Sequence, residues 1–170
     1  VLDLFRGPFP GILRCNVVLQ KVPAIDMDEN LKNRILGEAH FLRAHYYFIL
    51  VRYFVDVPLI TEPQVPGDDL RPARTDKNKV YDLIIEDLTT AKELLPVKSS
   101  YSSTDLGRAT KGAATGLLAK VYLTLGEWDR VVTLTNEVTS LGYQLNDNYA
   151  DNFNVYNKNS AGTTITDTSL

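Results

Sequence analysis

The side chains able to do chemistry are few and scattered. His40 and His45 are the only histidines. On a helix, residues five apart point about 140° away from each other. They therefore cannot share a metal by the usual i, i+4 route, and packing or hydrogen bonding is the expected role. Glu38, His45 and Arg52 fall on one helical stripe, with Arg34 beside it. Such a set could move protons, but on a buried helix it is expected to be a satisfied ion-pair network. Asp82 and Glu86 share one helix face, with Asp87 adjacent. A glycosidase needs two carboxylates in different environments across a sugar bond; a run of acids on an amphipathic helix is expected to be its solvated face. Cys15 is the single cysteine, so no intrachain disulfide or Cys-rich metal cluster can form. It reads as a small buried hydrophobe. There is no Gly-x-x-x-x-Gly-Lys-Ser/Thr loop and no Gly-x-Ser-x-Gly elbow. These readings point away from catalysis, and no cofactor or metal is implied.

The elements that hold these residues are helices. Apolar spacing and punctuation predict five: about 9–21, 29–54, 76–95, 110–125 and 127–140. Pro23, Pro58 and Pro96 follow the first three. Asp26 or Asp28 is the expected cap of the second, and Thr75 or Asp76 of the third. In the second, Leu31, Ile35, Leu42, Tyr46, Ile49 and Tyr53 form one stripe, and Leu36, Tyr47, Val51 and Phe54 lie opposite. A helix apolar on both sides is expected between two neighbours. Gly-x-x-x-Gly at 112–116 suggests close approach of a neighbouring backbone. Residues 143–170 carry no helical pattern and are expected to be irregular, with at most a short strand at 143–145. The class is all-α.

Residues 118–131 carry a repeat signature: Leu118-Ala119, Tyr122, Gly126, Trp128, Val131. The tetratricopeptide pattern has these types at the same offsets. Ala119 is small where helices cross, and Tyr122 fills the gap between them. Gly126 permits a turn with no room for a branched side chain, and Trp128 is expected to pack back into the scaffold. Residues 39–54 echo the pattern through Ala39, Leu42, Ala44, Tyr46 and Tyr47. Stacked antiparallel helix pairs of this kind bury their faces only against neighbours, and they make binding scaffolds.

Of 170 residues, 44% are hydrophobic and 23% charged, with net charge −3. That composition suits a globular domain and offers no concentrated basic surface for nucleic acid. No run of about 18 apolar residues is present.

Four blocks resemble the SusD/RagB family of outer-membrane nutrient-binding lipoproteins. The first is Phe9-x-x-Ile12-x-Arg14-x-Asn16-x-x-Leu19. The second is Gly37-Glu38-Ala39-x-Phe41-Leu42-Arg43-Ala44-x-Tyr46-Tyr47-Phe48-x-Leu50-Val51, followed by Asp56-Val57-Pro58-Leu59-Ile60. The third runs from Arg74 through Val80-Tyr81, Ile84-Ile85, Asp87-Leu88 and Ala91 to Leu95-Pro96. The fourth is Gly107-Arg108-Ala109-Thr110, Ala113-Ala114, Leu117-Leu118-Ala119, Val121-Tyr122-Leu123, then Gly126-Glu127-Trp128. The second is the most specific, because its length and order are hard to meet by chance. Val55 stands where the family usually has Gly, which should alter the end of that helix. Phe5 stands near a position where the family tends to have Trp.

The resemblance implies a tetratricopeptide-like helical domain over 1–145 and an irregular segment over 146–170 leading toward a further portion. The signal peptide and lipid-anchor cysteine of the family are absent from this sequence. It also implies a surface-exposed protein of the outer membrane of Bacteroidetes-type bacteria, reaching the membrane only through that anchor. Such proteins cover a SusC-like TonB-dependent transporter, bind an oligosaccharide or sometimes a peptide, and pass it on without breaking a bond. Glu38, Arg43, Tyr46, Ala119, Tyr122, Gly126 and Trp128 are then scaffold residues. Sugars are held by flat aromatic faces and polar hydrogen-bonding groups; the loop aromatics that could serve are Tyr101, Tyr149, Phe153 and Tyr156, whose alternative role is to cover the core. A scaffold that only docks proteins is the second reading, and a helical glycoside hydrolase the third.

Overall fold

The computed structural model describes residues 2–65, 67, 72–147 and 149. Six α-helices follow one another: α1 Leu2–Arg6, α2 Pro8–Lys21, α3 Glu29–Phe54, α4 Lys77–Leu94, α5 Lys111–Leu125 and α6 Trp128–Ser140. The five longer ones are those the periodicity predicts, and α1 is an added short turn. Each of α2 to α6 packs against its sequence neighbour, so the stack grows in one direction, as helical repeats do. Among the described residues the sole β feature is an isolated bridge between Val57 and Thr75, and 143–147 is irregular.

Local chemistry sets the boundaries. Asp28, rather than Asp26, caps α3 by accepting from Leu31 N at 2.8 Å. Asp76, rather than Thr75, caps α4 by accepting from Asn78 N at 2.8 Å. Thr110 caps α5 through Ala113 N at 3.1 Å. These side chains satisfy backbone donors that have no partner inside the first helical turn.

Helix α3 lies between α2 and α4, as its two apolar sides require. The sides are unequal. Ala44, Tyr47, Phe48, Leu50 and Val51 are buried, whereas Leu31, Leu42 and Tyr53 are exposed. The core side is thus the one holding Tyr47 and Val51. It meets Ile12 from α2, Val80, Ile84 and Leu88 from α4, and Leu118, Ala119 and Val121 from α5. The Tyr46 ring packs against Gly11, where an added Cβ would collide with it. Tyr122 is half-buried against the core, with the Arg130 guanidinium 5.5 Å from its ring centroid.

Three expectations about the fourth and fifth helices are corrected. Trp128 does not pack back into the pair: it is the first residue of α6 and 64% exposed. Leu134 and not Trp128 faces the core from α6; among the described residues α6 packs mainly on α5, with a single ion pair, Glu137 to Lys92, reaching α4. Val132, one turn beyond Trp128, shares the exposed face. Gly126 is required for a different reason than lack of room, since nothing lies within 4 Å of an added Cβ. Its φ of +80° is the constraint, for it ends α5 in the left-handed region that disfavours other residues. The Gly-x-x-x-Gly pair admits no backbone: Gly112 receives the Tyr143 ring and Gly116 meets nothing within 4 Å.

At the end of α3, Val55 has φ +64° and ψ −97°, although it is β-branched. Its N–H still closes the helix on Val51 O at 3.0 Å. The chain keeps a glycine-type turn there without the glycine, and such a conformation costs about 1–3 kcal/mol. Val55→Gly should therefore raise stability by about 1 kcal/mol after the added freedom of the unfolded chain is counted. Val55→Ala should gain far less. Urea unfolding midpoints of the three proteins check this, and an unchanged or lowered midpoint for the glycine variant would contradict it.

Candidate functional site

Two polar assemblies arise from this packing, one buried and one open. The buried one centres on Asp87, which is 1% exposed. Its carboxylate accepts from Arg43 Nε at 2.8 Å and Arg43 Nη2 at 2.7 Å, and lies 2.6 Å from His40 Nδ1. Arg43 Nη1 donates to Asn16 Oδ1 at 2.9 Å. Asn16 Nδ2 donates to Ile60 O at 2.9 Å and Glu62 O at 3.2 Å. Burial works against the Arg43 charge, but the Asp87 hydrogen bonds and charge outweigh it, and its pKa is raised. The fork-to-fork pairing is the strongest arrangement available to these groups.

Asp87 thus departs from the expected solvated face of α4, while Asp82 and Glu86 lie on its outer side. The signal was present in the spacing: 87 falls on the stripe of Val80, Ile84 and Ala91. The Glu38–His45–Arg52 stripe does not converge on a shared centre. Glu38 pairs with Arg108 at 3.2 Å, His45 stacks on Phe41, and Arg52 lies over Phe48. Burial lowers the His45 pKa, with Lys120 adding to it. Glu38 and Arg34 are linked through Arg108 and Asp105 in one ion-pair network, and a second, buried one forms from His40 and Arg43 on another side of the same helix.

Beside this network, burial pushes the Cys15 thiol up from 9.0 to about 11. It pushes the Tyr47 phenol up to about 12. Tyr47 Oη donates to Ile60 O at 3.0 Å and accepts from Ile60 N at 2.7 Å.

The open assembly is a groove of about 670 Å³. The start of α3 supplies Asp28, Asn30, Leu31, Asn33 and Arg34 to its wall. The end of α4 supplies Glu93, Leu94, Leu95 and Pro96, and the loop before α5 supplies Ser100, Tyr101 and Asp105. Tyr101 is held by donation from its Oη to Ala109 O at 2.7 Å. The Arg34 guanidinium lies 6.0 Å from the Tyr101 ring centroid, and its Nη1 is 3.3 Å from Asp105 Oδ2. Arg34 Nε is buried with no hydrogen-bond partner. Hydrogen bonds from Ser102 and Arg108 hold Asp105 below the usual carboxylate range. Of the two candidate aromatics among the described residues, Tyr101 lines this groove and Tyr149 does not. Tyr149 is 77% exposed elsewhere, and Phe153 and Tyr156 lie outside the described residues. The groove's Asn30 and Asn33 carry no recognisable pattern in the sequence, and Arg34 is legible there only as a neighbour of the Glu38 stripe. They stand out only once the loop folds over the start of α3.

Among the described residues no group of three or more His, Cys, Asp or Glu could hold a metal, and no helix is long and apolar enough to cross a membrane. Stacked helices around a buried ionic pin, with a polar groove at one end, define a tetratricopeptide-like helical scaffold. Residues 1–123 match the SusD-like family described as starch-binding and associating with the outer membrane. The chain belongs to that family. It is 31% identical to SusD-like protein P25 of Formosa agariphila over 93% of this chain and 30% of the relative. Its fold superposes on a laminarin-binding SusD-like protein with TM-score 0.84 and 37% identity, covering 94% of this chain and 36% of that one. A SusD-like protein of Bacteroides fragilis gives TM-score 0.80 and 35% identity, over 88% of this chain and 29% of that one. The chain thus spans about a third of the length of these relatives.

Removing the Asp87 charge should strand Arg43 in the interior. Asp87→Asn is expected to cost ~3 kcal/mol or more, and the double replacement Arg43→Met with Asp87→Leu less than either single change. Chemical denaturation of the set checks the order. A second expectation concerns alkaline pH. The folded chain keeps protons on Cys15 and Tyr47 that the unfolded chain releases. Stability should be constant up to pH 9, then fall as pH rises through 11. Urea midpoints measured from pH 7 upward read this directly, and a midpoint that climbs above pH 9 would contradict it.

Proposed function

We propose that this chain is the helical part of a glycan-capture protein of the outer membrane, which binds an oligosaccharide and breaks no bond. The observation that carries the reading is the family match over residues 1–123. It is supported by likeness to a laminarin-binding SusD-like protein. The geometry is consistent: the ionisable groups with the closest contacts, Asp87, Arg43 and His40, are engaged with one another between α3 and α4, where they position helices. In this reading the protein is surface-exposed, anchored by lipid through a segment outside this sequence. It delivers its ligand to a SusC-like TonB-dependent transporter.

A second reading makes the helices a docking platform for another protein. Trp128 and Val132 favour it, because two large apolar side chains one turn apart on α6 are left exposed. Affinity electrophoresis separates the two. Migration should be retarded in gels containing laminarin or starch relative to a glycan-free gel, and no new reducing ends should appear on incubation. Equal mobility in every gel would defeat the glycan reading, and release of reducing ends would defeat the claim that no bond is broken.

A further inference from the structure

We infer that the groove between the start of α3, the end of α4 and the loop before α5 is a subsite for a neutral sugar unit. This rests on the glycan-capture reading and adds to it a place and a ligand chemistry.

A sugar ring has two needs. Its C–H face seeks an apolar or aromatic surface, and its hydroxyls seek donors and acceptors in roughly equal number. The groove offers both. Leu94 and Pro96 form an apolar wall over the buried Leu95, and the half-buried Tyr101 ring joins it. The tyrosine has its hydroxyl tied to Ala109 O, so its position is set without help from a ligand. Asn30 and Asn33 bring amide donors and acceptors. At about 670 Å³ the space lies within the ~300–1,000 Å³ range of small-molecule sites.

Charge decides against other ligands. The groove carries Asp28, Glu93 and Asp105 against one cation, Arg34. Arg34 is paired with Asp105, so an anionic ligand would meet excess negative charge. Asp28 is spent on the α3 cap. Asp105 is shared among Arg34, Arg108 and Ser102, which leaves Glu93 as the acid without a role here and gives a cation little to hold. Arg34 Nε, buried without a partner, is a donor that a small shift of the guanidinium would offer to a hydroxyl. A neutral, hydroxylated ligand fits this balance.

The test uses the whole 170-residue chain, with laminarihexaose and maltohexaose as neutral probes and an oligogalacturonate and a chitosan oligomer as charged ones. Amide NMR shifts locate binding, and titration gives Kd. A neutral hexaose should shift the amides of Asn30, Asn33 and Tyr101, and the charged oligomers should bind more weakly. Tyr101→Ala should weaken binding about tenfold, the scale of a lost aromatic face. Tyr101→Phe, which keeps the ring, should stay within about twofold. Shifts confined to other residues, or tighter binding of a charged oligomer, would overturn the subsite and leave glycan capture standing. Wild-type chain that binds no probe would overturn both.

Discussion

The Asp87 carboxylate is the point on which the stack turns. It sits on α4, takes two hydrogen bonds from Arg43 and lies against His40, both on α3. Through Arg43 it is tied to Asn16 on α2, and through Asn16 to the backbone at Ile60 and Glu62. One buried charge therefore sets the relation of three helices and a loop. Apolar contacts alone would allow neighbouring helices to slide, because a Leu or Ile can accept several partners. A bidentate guanidinium–carboxylate pair accepts one geometry. The attraction adds little net stability over an apolar core of the same shape; what it supplies is a single register.

That register decides where the open groove forms. The first turns of α3 and the last turns of α4 meet at the same end of the stack, and the loop of residues 96–105 closes over them. Arg108 and Asp105 then fasten the loop to Glu38 and Arg34. The two assemblies divide the polar work: an inner one with every strong partner inside the protein, and an outer one with faces and amides left toward solvent. The far side of α6 has yet another character, with Trp128 and Val132 uncovered.

Much of this fold could be read from spacing and punctuation. Five helices, their order and two choices of cap followed from periodic apolar residues and from Asp or Thr beside them. The family blocks led to the right family. What could not be read depends on distance through space. Asp87 looked like one acid among Asp82 and Glu86, because a helical wheel does not say which partner waits on the other helix. Arg43, one residue in a family block, is that partner. Trp128 stood at a packing position of the repeat, yet it is exposed, and a pattern cannot say which way a side chain at that offset turns. The groove was legible only through Tyr101 and, as an ion-pair residue, Arg34, since Asn30 and Asn33 gain meaning from a loop far along the chain.

The paired hydrogen bonds between Tyr47 Oη and Ile60 have a consequence for motion. Ile60 belongs to an irregular stretch, where amide protons ordinarily trade with water quickly. Its N–H instead points at a phenol that is fully buried, so the proton can leave only when the inner side of α3 opens. A residue without secondary structure thereby acquires the deuterium-exchange lifetime of the helical core, and reports from a loop on the opening of the whole stack.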